Sequence, residues 1–122
     1  AVTFIDNHDT GSTQSHWPFP HDKVAMGYAY ILTHPGTPCV FWDHYFDWGE
    51  HLSSHIKTLM QTRESCGIHS RSKLEIIAAT DGLYAAVIDK KVAIKLGGDS
   101  WSPQGDGWSH VCGEHDWSVW RR

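Results

Sequence analysis

A chain of 122 residues, 40% hydrophobic and 20% charged, has the make-up of one ordinary globular domain. A net charge of −4 provides no basic stripe for nucleic acid, and no apolar run approaches the roughly 18 residues of a membrane span. The three cysteines, Cys39, Cys66 and Cys112, are odd in number and too far apart for a disulfide framework or a closely spaced zinc site.

The first predicted element is a short buried strand over residues 1–5, Ala-Val-Thr-Phe-Ile. It delivers Asp6, Asn7, His8 and Asp9 to its carboxyl end, where ligands bind in parallel α/β architectures. Turn chemistry accounts for Asp6 and Asn7, but less well for a segment that closes His8-Asp9 and runs on to Trp17-Pro18-Phe19-Pro20. Residues 6–21 form a loop whose length is often associated with function. Asp22 is a candidate helix N-cap, and Val24, Tyr28, Ile31 and Leu32 recur at helical spacing until His34-Pro35-Gly36 stops the helix.

Residues 38–42 read as a second buried strand, with Cys39 a small core residue and Asp43-His44-Tyr45 again placing polar groups at a strand's carboxyl end. A second helix follows over residues 50–64, with Leu52, Ile56, Leu59 and Met60 as its core face and Gly67 as its stop. Strand, helix, strand, helix makes two consecutive βα units. The period then changes. Residues 73–79, 82–88 and 91–96 are β-prone runs separated by the short turns Thr80-Asp81 and Asp89-Lys90, a meander of antiparallel strands. A glycine-, serine- and proline-bearing loop covers 97–107, and two more short strands fit 108–112 and 117–120. The domain boundary is placed near residues 68–72.

Ten histidines raise the question of a metal. His51 and His55 are four apart, but beside Leu52 and Ile56 they read as the solvent flank of the helix, and Glu50, Glu64, Glu75 and Glu114 read as solvated surface. No metal site is expected from the residues. Seven tryptophans suit sugar rings, yet composition alone favours core filling.

The string Phe4-Ile5-Asp6-Asn7-His8-Asp9, extended through Thr10-Gly11-Ser12-Thr13-Gln14 and Trp17-Pro18-Phe19-Pro20, resembles the last signature segment of plant-type α-amylases. These are retaining glycoside hydrolases built on a (β/α)8 barrel. The resemblance continues through residues 27–36, Phe46-Asp47-Trp48-Gly49, Leu83-Tyr84-Ala85-Ala86 and the closing Val119-Trp120. It implies an α/β part followed by an all-β part: residues 1–69 as the last two βα units of the barrel, and residues 70–122 as a C-terminal antiparallel β-sheet domain. A barrel of about 250 residues exceeds this chain, so the opening at Ala1, inside a strand-like run, reads as the start of a piece of a longer one.

The resemblance further implies endo-hydrolysis of α-1,4-glucosidic bonds in starch with retention, and a starch or α-1,4-glucan partner. It makes Asp9 the catalytic carboxylate that stabilises the transition state, with His8 on the same sugar. Gln14 is a candidate hydrogen-bond partner and Trp17 a candidate stacking surface. The segments that carry the family's nucleophile and proton donor have no counterpart here, so the isolated chain is expected to be inactive. Calcium is implied for the full-length enzyme, through an inserted domain this chain lacks, with no site in these residues. Some cereal relatives grip starch on the terminal sheet. Lys95 and Trp120 match that site's lysine and tryptophan, but Ser100 stands where its tyrosine would be. The alternative is a non-catalytic carbohydrate-binding or accessory module using the C-terminal sheet. Plant-type amylases occur as secreted and as plastid forms, and the odd cysteines favour a reducing compartment, plastid or cytoplasm.

Overall fold

The structure, a computed structural model, describes residues 2–6 and 19–122. Strand β1 (Val2–Phe4) pairs in parallel with β2 (Thr37–Cys39), Val2 opposite Thr37 and Phe4 opposite Cys39. Parallel neighbours require a crossover, and helix α1 (Val24–Thr33) supplies it after a 3₁₀ turn over His21–Lys23. The crossover is tight because Gly27 lacks a side chain. A Cβ there would lie 2.7 Å from Ile5 Cδ1 and 3.1 Å from the Phe19 ring. Asp22 sits inside the 3₁₀ turn rather than capping the helix.

The second expected strand is shorter than its apolar run. Trp42–Phe46 turns into a short helix, α2, and β2 ends at Cys39, which is exposed rather than in the core. Helix α3 (Glu50–Ser65) buries Leu52, Ile56 and Leu59, but Met60 is 45% exposed, so that residue does not belong to the core face. Gly67, at φ +69°, closes α3 as anticipated. Ile68 N–H donates to Arg63 O and Gly67 N–H to Glu64 O, a Schellman pairing that satisfies two of the helix's last carbonyls.

The remaining strands form one antiparallel sheet: β3 (Leu74–Ala79), β4 (Tyr84–Ile88), β5 (Val92–Leu96), β6 (Ser109–Glu114) and β7 (Trp117–Arg121). Their spatial order is β3-β4-β5-β7-β6, so the chain crosses from β5 to the outer strand β6 and returns through β7. One face of this sheet packs on α1 and α3. Ile88, Val92, Ile94, Trp117 and Val119 share a single core with Ile5, Tyr28, Leu32, Ile56 and Leu59. Burying each such aliphatic side chain contributes about 1.5–3 kcal/mol.

The turn between β4 and β5 has both central residues at positive φ, Asp89 at 52° and Lys90 at 57°. That is the mirror-image turn whose twist matches a hairpin. Asp89 has a reason to be there: its carboxylate accepts the Lys73 N–H at 2.7 Å, and hydrogen bonds from Ser72 and Lys73 hold its carboxyl below the usual range. Lys90 bears the steric strain of a left-handed residue with a Cβ, and its carbonyl, which accepts from Arg122 Nε at 3.0 Å, would be kept by glycine. Lys90→Gly is therefore expected to stabilise the fold by about 0.5–1 kcal/mol in a urea titration; a loss of stability would show that the lysine side chain matters more than its backbone.

The end of α1 is tied to the sheet by His34. Thr33 Oγ1 donates to Ala29 O at 2.7 Å, so it accepts from His34 Nδ1 at 3.0 Å, and the Tyr84 hydroxyl then donates to Nε2 at 2.8 Å. The His34 ring also stacks on Tyr30 at 3.9 Å between centroids. Arg63 of α3 caps the same helix end, donating to the carbonyls of Leu32, His34 and Gly36 at 3.0, 2.7 and 2.8 Å. Burial, with Arg63 adding to it, lowers the His34 pKa from 6.5 to about 4. The unfolded chain thus takes up this proton between pH 6.5 and about 4 while the folded chain does not. The contribution is fully present above pH 6.5 and is lost as pH falls through that window, by up to about 3 kcal/mol. His34→Gln is expected to flatten the stability profile between pH 6.5 and 4; an unchanged slope would assign acid sensitivity elsewhere.

Candidate functional site

Because β1 and β2 run in parallel, their carboxyl ends emerge side by side. Asp6, just past β1, and His44, in α2 just past β2, meet there beneath the surface. His44 is fully buried and Asp6 is nearly so. Asp6 Oδ1 accepts the Phe19 N–H at 2.8 Å, which fixes Phe19 beside the end of β1. Oδ2 of Asp6 lies 3.2 Å from His44 Nε2.

On the other side of the imidazole, the Tyr28 oxygen accepts the Phe41 N–H at 3.0 Å and lies 2.6 Å from His44 Nδ1. With its acceptor role taken up by Phe41, the Tyr28 hydroxyl donates to Nδ1, which leaves the His44 proton on Nε2, facing Asp6. Burial lowers the His44 pKa against the pull of Asp6, and burial pushes the Tyr28 hydroxyl up to about 12. Asp6, His44 and Tyr28 form a buried polar network that ties the ends of β1 and β2 to α1 and to Phe19.

The expected site residues His8, Asp9, Gln14 and Trp17 lie outside the described residues. Lys95 and Trp120 are described. In β5 and β7, Val92, Ile94, Trp117 and Val119 face the core, so Lys95 and Trp120 share the opposite face. Trp120 lies edge-on between Trp101 and His110, at 5.7 and 5.6 Å. Over that face, Ile77, Val87, Trp101, Pro103 and Trp108 line a cleft of about 410 Å³. The Arg122 guanidinium sits 4.3 Å above the Trp108 ring.

A profile described as "Alpha-amylase C-terminal beta-sheet domain" matches residues 65–121. The chain is 52% identical to "Alpha-amylase type B isozyme" of Hordeum vulgare, with all of this chain and 80% of that relative covered. This chain belongs to the alpha-amylase family. It is also 52% identical to "Probable alpha-amylase 2" of Arabidopsis thaliana over its whole length, and 48% identical to "Alpha-amylase 3, chloroplastic" of the same plant over 98% of it. It spans only 30% and 13% of those two relatives. Among solved structures, an Anoxybacillus alpha-amylase superposes on 98% of the chain with a TM-score of 0.69 at 16% identity, a likeness of fold.

For calcium, which the family resemblance implies for the whole enzyme, the described part of this amylase chain is a poor host. Its one cluster of potential ligands among the described residues is His51, His55 and Glu114. Two imidazoles and one carboxylate do not resemble the six to eight oxygens calcium takes. That cluster went unforeseen. The histidine pair at i, i+4 was visible in the sequence, but Glu114 lies 63 residues from His51, and no local pattern links them.

Proposed function

We propose that this chain is the C-terminal portion of an endo-acting α-1,4-glucan hydrolase. Residues 1–69 would be the last two βα units of its (β/α)8 barrel and residues 70–122 its terminal sheet domain. The observation that carries the reading is the 52% identity to the barley relative, maintained over all 122 residues. The parallel β1–β2 pair with its helical crossover supports it, as do apolar side chains left in the open: Val2 and Phe4 on β1, Trp42 and Phe46 on α2. A two-stranded sheet is marginal by itself, and further barrel strands would cover these groups. In this reading Asp9 stabilises the oxocarbenium-like transition state and His8, Gln14 and Trp17 contact the glucan, while nucleophile and acid come from elsewhere in the enzyme. Lys95 and Trp120 form a second glucan surface on the outer sheet face, and calcium binding belongs to the rest of the protein. A free-standing binding module is less well supported, because the sheet shares its core with α1 and α3.

The test is a chimera in which this chain replaces the aligned segment of the Arabidopsis relative. It is expected to hydrolyse maltoheptaose and to release the α-anomer first. A folded chimera without hydrolysis would overturn the proposal.

A further inference from the structure

We propose that His51, His55 and Glu114 form a binding site for a zinc-like divalent transition cation that fastens α3 to the β6–β7 hairpin. The site stands apart from the amylase reading and does not depend on it. Residues four apart on a helix share one face, and the His51 and His55 rings lie 4.8 Å apart, nearly perpendicular. Both Nε2 atoms converge on the same Glu114 oxygen, at 3.1 Å from His51 and 3.5 Å from His55. The three ligand atoms all lie within 4.8 Å of one another. A cation bonded at about 2.0–2.2 Å to each ligand in a tetrahedron sets its ligands about 3.4 Å apart. Two of the pairs already have that spacing. The third would close by a small rotation of His51, whose side chain is 79% exposed.

The other two ligands are held more firmly. His55 is only 15% exposed and packs edge-on against the buried Trp117 at 4.9 Å, while Glu114 is fixed opposite Trp117 in the hairpin register. Among the described residues, His55 Nε2 is a buried nitrogen with no hydrogen-bond partner. An ion would satisfy it. Beside the cluster a cleft of about 180 Å³, lined by His21, Asp22 and Trp48, leaves room for water to complete the coordination. Imidazole with carboxylate suits zinc, copper or nickel and disfavours calcium.

Zinc chloride titrated calorimetrically into the EDTA-treated chain at pH 7.5 is expected to bind with one equivalent at this site and to raise the melting temperature. Cobalt is expected to give visible d–d bands without thiolate charge-transfer absorption. His51→Ala and Glu114→Gln, both at the surface, should each weaken zinc binding by about tenfold or more, and His110→Ala should not. His55→Ala should do the same, and circular dichroism would show whether it keeps the fold, given its contact with Trp117. Zinc affinity unchanged in His51→Ala and Glu114→Gln, a thiolate–cobalt spectrum, or displacement of zinc by equimolar calcium would each overturn the proposal. In those cases the cluster is a surface ion pair, or the metal sits on cysteines.

Discussion

In the chimeric enzyme carrying this chain, Asp9→Asn is expected to lower kcat by a factor of about 10²–10³ or more, a loss of about 3–4 kcal/mol of transition-state stabilisation. The amide is nearly isosteric with the carboxylate, so folding and the shape of the cleft are retained. In the role proposed for Asp9, the variant would lose a full negative charge and a strong acceptor for the sugar hydroxyls. Such contacts tighten as the ring flattens towards the oxocarbenium-like state, so the loss falls on kcat more than on KM. The measurement is steady-state hydrolysis of maltoheptaose by the chimera and its Asp9→Asn form, with circular dichroism as the folding control. Parental kcat in the variant would remove Asp9 from the catalytic role.

The elements were legible because their periods were clean. Val24, Tyr28, Ile31 and Leu32 sit at helical spacing and are all buried, and the three hairpin strands from Leu74 to Leu96 fall within a residue or two of the β-prone runs. The errors arose where burial depends on neighbours distant in sequence. Met60 continues the apolar stripe of α3, yet it borders an open apolar cleft with Val40, Trp42 and Phe46, so pattern alone assigned it to a core that the described residues do not close. Cys39 is exposed for the same reason, since among the described residues β2 pairs only with β1. The sequence pattern beside Leu52 and Ile56 puts His55 on the solvent flank, yet its side chain is only 15% exposed. The order β5-β7-β6 brings β6 against α3, and only that topology supplies Trp117 and Glu114 as its neighbours. Asp9 rests on the motif resemblance alone and lies outside the described residues.

Replacing His44 by alanine is expected to destabilise the chain by about 3–5 kcal/mol. Three effects add up. The imidazole is fully buried and lies edge-on against Tyr28, Phe41 and Trp48 at 5.3, 5.0 and 4.8 Å, so its removal opens a cavity among aromatic rings. The Tyr28 hydroxyl loses the acceptor it donates to at 2.6 Å, and an unmet buried donor costs about 1–3 kcal/mol. The Asp6 carboxylate loses the imidazole 3.2 Å away. Tyr28→Phe separates these effects. It removes one hydroxyl, leaves Nδ1 and the Phe41 N–H unmet, and should cost about 1–3 kcal/mol while His44 and Asp6 stay in place. Urea unfolding of the two variants measures both. Since Asp6 also accepts the Phe19 N–H, it ties together the residues on either side of 7–18, and His44→Ala in the chimera should lower kcat even at temperatures where the protein stays folded. A His44→Ala variant within about 1 kcal/mol of the parent, with kcat intact, would show that this network neither holds the fold together nor positions the segment that carries Asp9.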